Sequence, residues 1–406
     1  MADPVRHLTT STPSAVLPQP RALNIEACPS AHISPRRAAG GHSDGSSTSF
    51  RRPVRASSAQ TDNGPEKPMS APTFEPARLR LARELQGHTQ AAVADLLEIT
   101  PAALSQFESG STRPSVDTQL RLAELLEVPR EFFGLPLVDT HEGFFRSPRR
   151  TSVSDRRRAR AIAHVAHDLA THTANRFVPA PAIPRILLGL DDGRVDAERA
   201  ADAVRAAWSV PAGPVRDVVG LLENHGIVVI RLPLGSADVD AFSLPFPDRP
   251  VVVLGSDKND RGRSRFDAAH ELGHLVMHAD QVWGIKSVED QAHAFAAAFL
   301  MPERDIIDEL PSHADWPALF QLKRKWQVSV AALLMRARKL ERMQEKHYAA
   351  AMKMMSARGW RRSEPHPLGP PEQPRLLRTV AECPELTRLK ASLPTHVIAE
   401  LEKASS

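Results

Sequence analysis

The chain has 406 residues, of which 42% are hydrophobic, so it is long enough for two or three soluble domains, and its formal net charge of +4 permits binding to nucleic acid. Its only cysteines are Cys28 and Cys383, which excludes a disulfide framework and a cysteine-rich zinc site and fits a reducing cytoplasm. No apolar run approaches the ~20 residues of a transmembrane helix, so we expect no membrane partner.

Residues 1–72 are rich in Ser, Pro, Ala and Arg and show little periodic apolar pattern. Such a segment buries too little surface to offset the entropy of ordering, so we expect a disordered tail. Its arginine-rich, acid-poor character is also loosely typical of an organelle transit peptide. Met69 lies just before the first predicted domain and is an alternative to Met1 as the first residue.

Residues 73–135 carry the capping pattern of short helices joined by tight connectors. Thr89 is predicted to cap one helix and Thr100 the next, with Pro101 at the first position of that helix and Gly110 after its end. This rhythm predicts a helix-turn-helix. Its small core is expected to contain Leu79, Val93, Leu97, Ile99, Leu104, Phe107, Leu122 and Leu125.

The same region resembles the Cro/C1-type (XRE) DNA-binding domains. The resemblance rests on the motif residues Thr89-Gln90, Val93-Ala94, Ile99-Thr100, Leu104-Ser105 and Glu108-x-Gly110. Glu98 departs from the family, which prefers glycine in the turn, and a non-glycine residue at positive φ is strained.

The resemblance implies that the second helix of the motif enters the major groove of operator DNA and that a homodimer binds a near-palindromic site. Gln106 is then the strongest base reader, because glutamine can form two hydrogen bonds with adenine. The implied DNA-binding residues are Gln90, Thr100, Pro101, Ala102, Ala103, Ser105, Gln106 and Arg113, with Arg78, Arg80 and Arg83 as further phosphate contacts. A helical bundle that binds other proteins is the alternative.

Residues 136–194 are predicted to form a helical connector. Within it, a basic cluster leads into a helix with Ile162, Val165, Ala166 and Leu169 on one face. The arginines at 156–158 are interpreted as a solvated run that can reach the flanks of bound DNA. The histidines are interpreted as a solvated stripe, because no carboxylate or cysteine accompanies them; they are His164, His167 and His172.

The segment RFDAAHELGHLVMH, residues 265–278, holds the pattern His270-Glu271-x-x-His274 in a run typical of a helix. Positions four apart lie one above the other on a helix, so two imidazoles can face one cation with Glu271 beside them. Zinc takes such nitrogen ligands with a third protein ligand and a water, whose proton a nearby carboxylate accepts. Surface histidines on an amphipathic helix are the alternative interpretation.

The third ligand has two candidates. An alanine-rich helical run ends at Pro302 and places Glu289 and His293 one turn apart. Glu289 would complete a set of two histidines and a glutamate. His278 is the rival, but ligands at i, i+4 and i+8 drift by about 40° per pair around a straight helix. We therefore favour Glu289, and treat His293 as a candidate for stabilising an oxyanion.

These blocks, together with VDAFSLPFPDRPVVVL at 239–254 and EDQAHAFAAAFLMP at 289–302, resemble the ImmA/IrrE family of zinc metallopeptidases. The resemblance runs from about 195 to 365 and implies Zn²⁺ held by His270, His274 and Glu289, with Glu271 as the general base. The family often has an acidic residue where this chain has Gln291, a departure that we expect to have no effect on metal binding.

Two apolar runs, GIVVIRL at 226–232 and PVVVLG at 250–255, predict buried strands. They give a small sheet against the HExxH helix. Residues 240–243 are then expected at the edge of a cleft, where a substrate strand can pair.

The predicted fold class is multidomain, with an all-α helix-turn-helix domain and an α+β zincin-like metallopeptidase domain that has a helical C-terminal region. The predicted order is a tail (1–72), the helix-turn-helix domain (73–135), the connector (136–194), the peptidase domain (195–310), a helical region (311–365) and a C-terminal tail with a short helix (366–406). The expected function is cytoplasmic transcriptional regulation, in which the peptidase domain cleaves a partner regulator or senses a signal. The alternatives are a non-proteolytic metal- or ligand-sensing DNA-binding protein and an antitoxin-like protein that binds a partner.

Overall fold

The computed structural model describes residues 74–138, 140, 152–172, 179–234, 240–257, 259–278 and 285–404. The expected disordered tail and the choice between Met1 and Met69 lie outside the described residues.

The N-terminal helices begin and end where the capping residues predict. Thr89 accepts a hydrogen bond from Ala92 N and Thr100 from Ala103 N, while Gly110 ends its helix in the left-handed conformation at φ 75°. Glu98 also has a positive φ, of 57°, which confirms the strained turn. The helices are α1 (Pro76–Leu85), α2 (Gln90–Leu96), α3 (Pro101–Ser109) and α4 (Val116–Leu125), followed by a 3-10 turn at Arg130–Gly134.

The expected helix-turn-helix core is confirmed. Five of its side chains are buried, namely Leu79, Val93, Leu97, Leu104 and Leu122. The other three, Ile99, Phe107 and Leu125, are half-buried against them.

Helix α5 (Val153–His172) joins the helix-turn-helix to the rest of the fold. One side of α5 packs on α1, where the buried Arg78 guanidinium donates to both carboxylate oxygens of Asp168 at 2.5 and 2.9 Å. The interpretation of its histidines as a solvated stripe is wrong for His164 and His167, which are buried against Phe246. Only His172 is exposed. Burial lowers the pKa of His164 well below its ordinary value of 6.5, so the ring is a neutral member of the core.

A three-stranded sheet has the order β1-β3-β2, with β1 parallel and β2 antiparallel to β3. The predicted strands are confirmed as β1 (Val228–Leu232) and β3 (Val251–Gly255), and β2 (Ala241–Leu244) lies at the edge. Alternate residues of each strand face opposite sides. One face packs with α5, and the other carries Val229, Ser243 and Val252 towards the helices that hold the HExxH motif.

The helices on that second face are α6 (Arg194–Ala207), α7 (Val218–Asn224), α8 (Arg261–Met277) and α9 (Lys286–Leu300). Short helix α10 (Glu303–Ile306) leads to α11 (Trp316–Trp326), α12 (Val330–Lys339) and α13 (Glu345–Ala357). The described part of the chain is therefore multidomain and α+β, as the sequence predicts.

The C-terminal segment differs from the expected tail with one short helix. It contains α14 (Leu376–Ala381), a 3-10 turn at Pro384–Leu386, α15 (Thr387–Ala391) and α16 (Thr395–Ala404). Leu377, Val397 and Leu401 are buried in the same core as α5 and β1. Among the described residues, no helix is long and apolar enough to cross a membrane.

Candidate metal centre and DNA-binding surface

Helix α8 places His270 and His274 one turn apart with both rings buried. Their Nε2 atoms lie 3.0 Å from each other. At this distance the two Nε2 atoms can share a proton or contact a single cation. The alternative of two surface histidines is wrong.

Glu289 on α9 reaches the same position. Its Oε2 lies 3.4 Å from His270 Nε2, and its Oε1 lies 3.8 Å from His274 Nε2. Ligand atoms at bonds of about 2.0–2.2 Å around a tetrahedral cation are about 3.3–3.6 Å apart. The three measured separations bracket that value, so the donor set fits zinc without rearrangement of the backbone.

Close contact between α8 and α9 depends on Gly273. A Cβ atom at this position would lie 3.0 Å from Cδ1 of Phe295 on α9, a separation that side chains avoid. Glycine therefore lets the two helices approach closely enough for Glu289 to meet the histidines.

His293 lies in the same cluster. One ligand atom from each of His270, Glu289 and His293 falls within 4.8 Å of the others. His293 Nδ1 donates to the backbone oxygen of Glu289 at 2.7 Å, so in the neutral ring Nε2 carries the lone pair. His293 is thus a third imidazole beside the candidate metal position, on the α9 side.

His278, the rival for the third ligand, lies behind His274. Its Nδ1 is 3.0 Å from His274 Nδ1, and its Nε2 is 2.8 Å from Gln291 Oε1. Gln291 Nε2 donates to the backbone oxygens of Gly189 and Asp192, both at 2.8 Å. Gln291 is therefore built into the surroundings of the metal centre, which its departure from the family pattern did not suggest.

These contacts fix the tautomer of His274. Gln291 Oε1 can only accept, so His278 Nε2 carries a proton. Burial lowers the pKa of His278 below 6.5, so the ring is neutral and its Nδ1 accepts from His274 Nδ1. The lone pair of His274 is then on Nε2, the atom that faces His270 and Glu289.

Glu271 is buried next to the histidines, and Ser243 Oγ of β2 donates to its Oε2 at 2.7 Å. Ser243 is itself buried. This hydrogen bond fixes the orientation of the carboxylate. The sequence placed residues 240–243 at the cleft, but the contact between Ser243 and Glu271 depends on strand register, which no local pattern reveals.

A cavity of about 920 Å³ opens beside the cluster, between α8, α9 and α12. Its lining includes His293 and a partly buried apolar wall formed by Phe266, Ala294, Ala297, Ala331 and Ala332. A cleft with an apolar wall next to convergent polar groups is typical of a binding site for a substrate or ligand.

The expected DNA-binding residues lie around the start of α3. Gln90 and Ala103 are half-buried; Thr100, Pro101, Ala102, Ser105, Gln106 and Arg113 are exposed. Gln90 Nε2 donates to Glu108 Oε2 at 2.8 Å, which holds its side chain. The expectation of phosphate contacts from Arg78 and Arg83 is wrong, because Arg78 is buried on Asp168 and Arg83 on Glu108.

Comparison with protein-family models gives two matches. The first is a helix-turn-helix family over residues 79–133, which spans α1 to the 3-10 turn after α4. The second is the IrrE N-terminal-like domain of the M78 peptidase family over residues 222–338, which spans the sheet, α8, α9 and most of α12. Curated protein sequences give no significant match to the chain. The chain is therefore a fusion of an XRE-type helix-turn-helix domain with an IrrE-like domain of the M78 peptidase family.

Proposed function

We propose that this DNA-binding regulator carries a working zinc-dependent metallopeptidase, which cleaves a partner regulator, and that it acts in the cytoplasm as a homodimer on operator DNA. The peptidase assignment depends above all on one observation. His270, His274 and Glu289 converge at separations of 3.0–3.8 Å, which bracket those of a tetrahedral zinc site, with the Glu271 carboxylate held beside them.

When bound, zinc would supply a Lewis acid that polarises a peptide carbonyl and lowers the pKa of a water molecule. The chain's own residues supply the remaining chemistry. His270, His274 and Glu289 would hold the ion, and the hydrogen bonds from Gln291 through His278 to His274 keep the coordinating lone pair on His274 Nε2. Glu271 accepts a proton at its carboxylate and passes it to the leaving amine.

The substrate strand is proposed to bind along β2. This strand is at the edge of the described sheet, and an extended peptide can add to an uncovered edge through main-chain hydrogen bonds. The four residues of β2 are buried and Asp240 before them is half-buried, so the pairing is proposed to begin at Asp240. The apolar cavity beside His293 would then take one substrate side chain.

Metal analysis combined with a cleavage assay tests the proposal. Wild-type protein should contain about one zinc per chain, and His274→Ala should abolish this, because two remaining ligands hold zinc weakly. Glu271→Gln should keep zinc and lose hydrolysis of a candidate repressor, since Glu271 is a proton acceptor and not a ligand. Full zinc content in His274→Ala would refute the site.

A second candidate function is metal or ligand sensing without proteolysis. It is favoured by α5, which contacts both the helix-turn-helix and the sheet that carries Ser243. In this case Glu271→Gln would still respond to the inducing signal in a reporter assay. Loss of the response with retained repression would favour the peptidase.

A further inference from the structure

A recess of about 410 Å³ lies where the helix-turn-helix meets the start of α5. Its wall contains residues of α1, α2 and α3, including Arg80, Gln90, Ser105 and Ser109. It also contains Arg157, which belongs to α5 and lies outside the matched helix-turn-helix region. The recess therefore joins the DNA-binding domain to a residue of the connector.

Two contacts, one near each end of α5, hold this helix against the helix-turn-helix. Ser154 Oγ donates to the backbone oxygen of Gly87 at 3.2 Å, in the turn between α1 and α2. Further along the helix, Asp168 accepts both hydrogen bonds from buried Arg78 of α1. Arg157 lies between these anchors, about one turn after Ser154, so its backbone is fixed relative to α2 and α3.

The charges in the recess leave Arg157 as an uncompensated cation. Arg83 is paired with Glu108 at 2.6 Å, and Arg80 with Glu84 at 3.0 Å. Arg157 is exposed and makes no hydrogen bond or ion pair with any residue that the structure describes. A guanidinium without a carboxylate partner, beside the exposed residues Ser105 and Ser109, favours an anionic ligand with several acceptor oxygens.

The position of the recess indicates which anion. In a helix-turn-helix complex the recognition helix enters the major groove while the preceding helix crosses the sugar-phosphate backbone. The recess lies between those two helices, α2 and α3, where the backbone of bound duplex passes. We propose that Arg157 binds a backbone phosphate of the bound DNA, so that the connector helix forms part of the DNA-binding surface. This inference rests on DNA binding by the helix-turn-helix domain.

The proposal predicts a sequence-independent contact. Each phosphate contact releases counterions, so the logarithm of the association constant falls with the logarithm of salt concentration by about 0.9 per contact. Arg157→Ala should reduce that slope by about 0.9 for each bound chain, or about 1.8 for a homodimer, and weaken binding roughly fivefold to tenfold per bound chain near 0.1 M salt. The loss should be equal on a duplex enriched from a random pool and on a mixed-sequence duplex. Arg157→Lys should keep the slope, because the charge remains.

Fluorescence anisotropy of the full chain with labelled duplex, between about 50 and 200 mM salt, measures these slopes. Arg199→Ala on α6 is the matched control, because it removes one exposed arginine whose sole ion-pair partner in the described part of the chain is Asp196, at 3.5 Å. An unchanged slope in Arg157→Ala, or an equal loss in Arg199→Ala, overturns the inference.

Gln106→Ala separates this inference from the DNA-binding proposal itself. If wild type binds and Gln106→Ala changes base preference while Arg157→Ala leaves the slope unchanged, only the role of Arg157 is overturned. If wild type binds no duplex, both fail. If Arg157→Ala changes base preference without changing the slope, Arg157 reads bases instead of phosphate, and the inference is likewise overturned.

Discussion

The residues behind His274 are expected to set how tightly the candidate metal centre holds zinc. Gln291 is fixed by two backbone oxygens and orients His278, which in turn orients His274. Partners of this kind typically change metal affinity by 10–100-fold when they are removed.

Gln291→Ala is therefore expected to weaken zinc binding about tenfold while Glu289→Ala weakens it much more, since only the latter removes a ligand. His278→Ala should resemble Gln291→Ala. Competition with a chromophoric chelator measures the affinities. Asp290→Ala is the control, because this exposed neighbour contacts Lys286 on the surface of α9. A larger loss in His278→Ala than in Glu289→Ala would make His278 the third ligand.

Glu223 makes the stability of the protein depend on pH. Its buried carboxylate accepts three backbone hydrogen bonds from Arg375 and Leu376, and burial raises its pKa from 4.5 to about 7. Asp217 also raises this pKa, whereas the backbone hydrogen bonds and the Arg375 charge lower it. Between the unfolded and folded pKa values the folded state binds more protons, so the free energy of unfolding falls as pH rises through this window.

In the wild type, Glu223 is expected to lower the free energy of unfolding by on the order of 2 kcal/mol as the pH rises from about 5 to 8. Glu223→Gln should abolish this dependence on pH. Urea unfolding at several pH values measures it. His164 and His167 act in the opposite sense below pH 6.5, because burial lowers the pKa of each; the difference between wild type and variant therefore isolates Glu223. Parallel pH profiles for the two proteins would contradict the assignment.

At the scale of single residues, the sequence predicted what short-range spacing determines. The i, i+4 spacing placed His270 and His274 together, and the caps Thr89 and Thr100 set two helix starts. Contacts between distant segments were missed, because Ser243 meets Glu271 only through sheet register and Gln291 meets His278 only through helix crossing.

Helix α5 shows the same limit for a whole element. Its apolar face was predicted correctly, but its histidines were assigned to solvent. Two of them pack on Phe246, which is about 80 residues away in sequence, so no local pattern could reveal the contact. The ion pair between Arg78 and Asp168 spans 90 residues and is equally invisible. The contacts with Phe246 join α5 to the sheet region, and the ion pair with Arg78 joins it to the helix-turn-helix, so α5 is a structural part of both rather than a spacer.

Asp168→Ala should therefore destabilise the protein by about 3–5 kcal/mol, since it leaves the Arg78 guanidinium buried without its carboxylate. Chemical denaturation measures the loss. Asp155→Ala is the control on the same helix, because Asp155 is exposed and contacts only Ser152 among the residues that the structure describes. Equal effects of the two substitutions would mean that the buried pair contributes nothing specific.

The C-terminal helices should be indispensable for the same reason. A chain that ends at residue 365 would expose the β1 and α5 surfaces that Leu377, Val397 and Leu401 cover. It is expected to lose solubility or show a lowered Tm. Leu401→Ala alone should cost about 2–5 kcal/mol. If the truncated chain had the same Tm as the full chain, residues 366–406 would be a tail that does not contribute to the fold.

Across the whole molecule, a continuous set of contacts joins the DNA-binding surface to the candidate catalytic carboxylate. Arg78 of α1 binds Asp168 of α5, and the neighbouring His167 stacks on Phe246 with ring centroids 4.0 Å apart. Phe246 follows β2, whose Ser243 donates to Glu271. A shift of β2 on metal or substrate binding would therefore act on α5, and through it on the helices that contact DNA.

Coupling of this kind is reciprocal: zinc must change DNA affinity by the same factor by which DNA changes zinc affinity. We expect zinc-loaded and zinc-free protein to differ about fivefold or more in affinity for labelled duplex.

Phe246→Leu should bring that ratio of affinities towards one, because it keeps an apolar side chain but loses the ring stacked on His167. Phe320→Leu is the matched control, since Phe320 lies in the C-terminal half of the IrrE-like region and packs on Trp360, beyond its end. Anisotropy with duplex and chelator competition for zinc give the two factors independently. Equal duplex affinity with and without zinc in the wild type would show that the two domains are not energetically coupled. The sensing function would then lose its support.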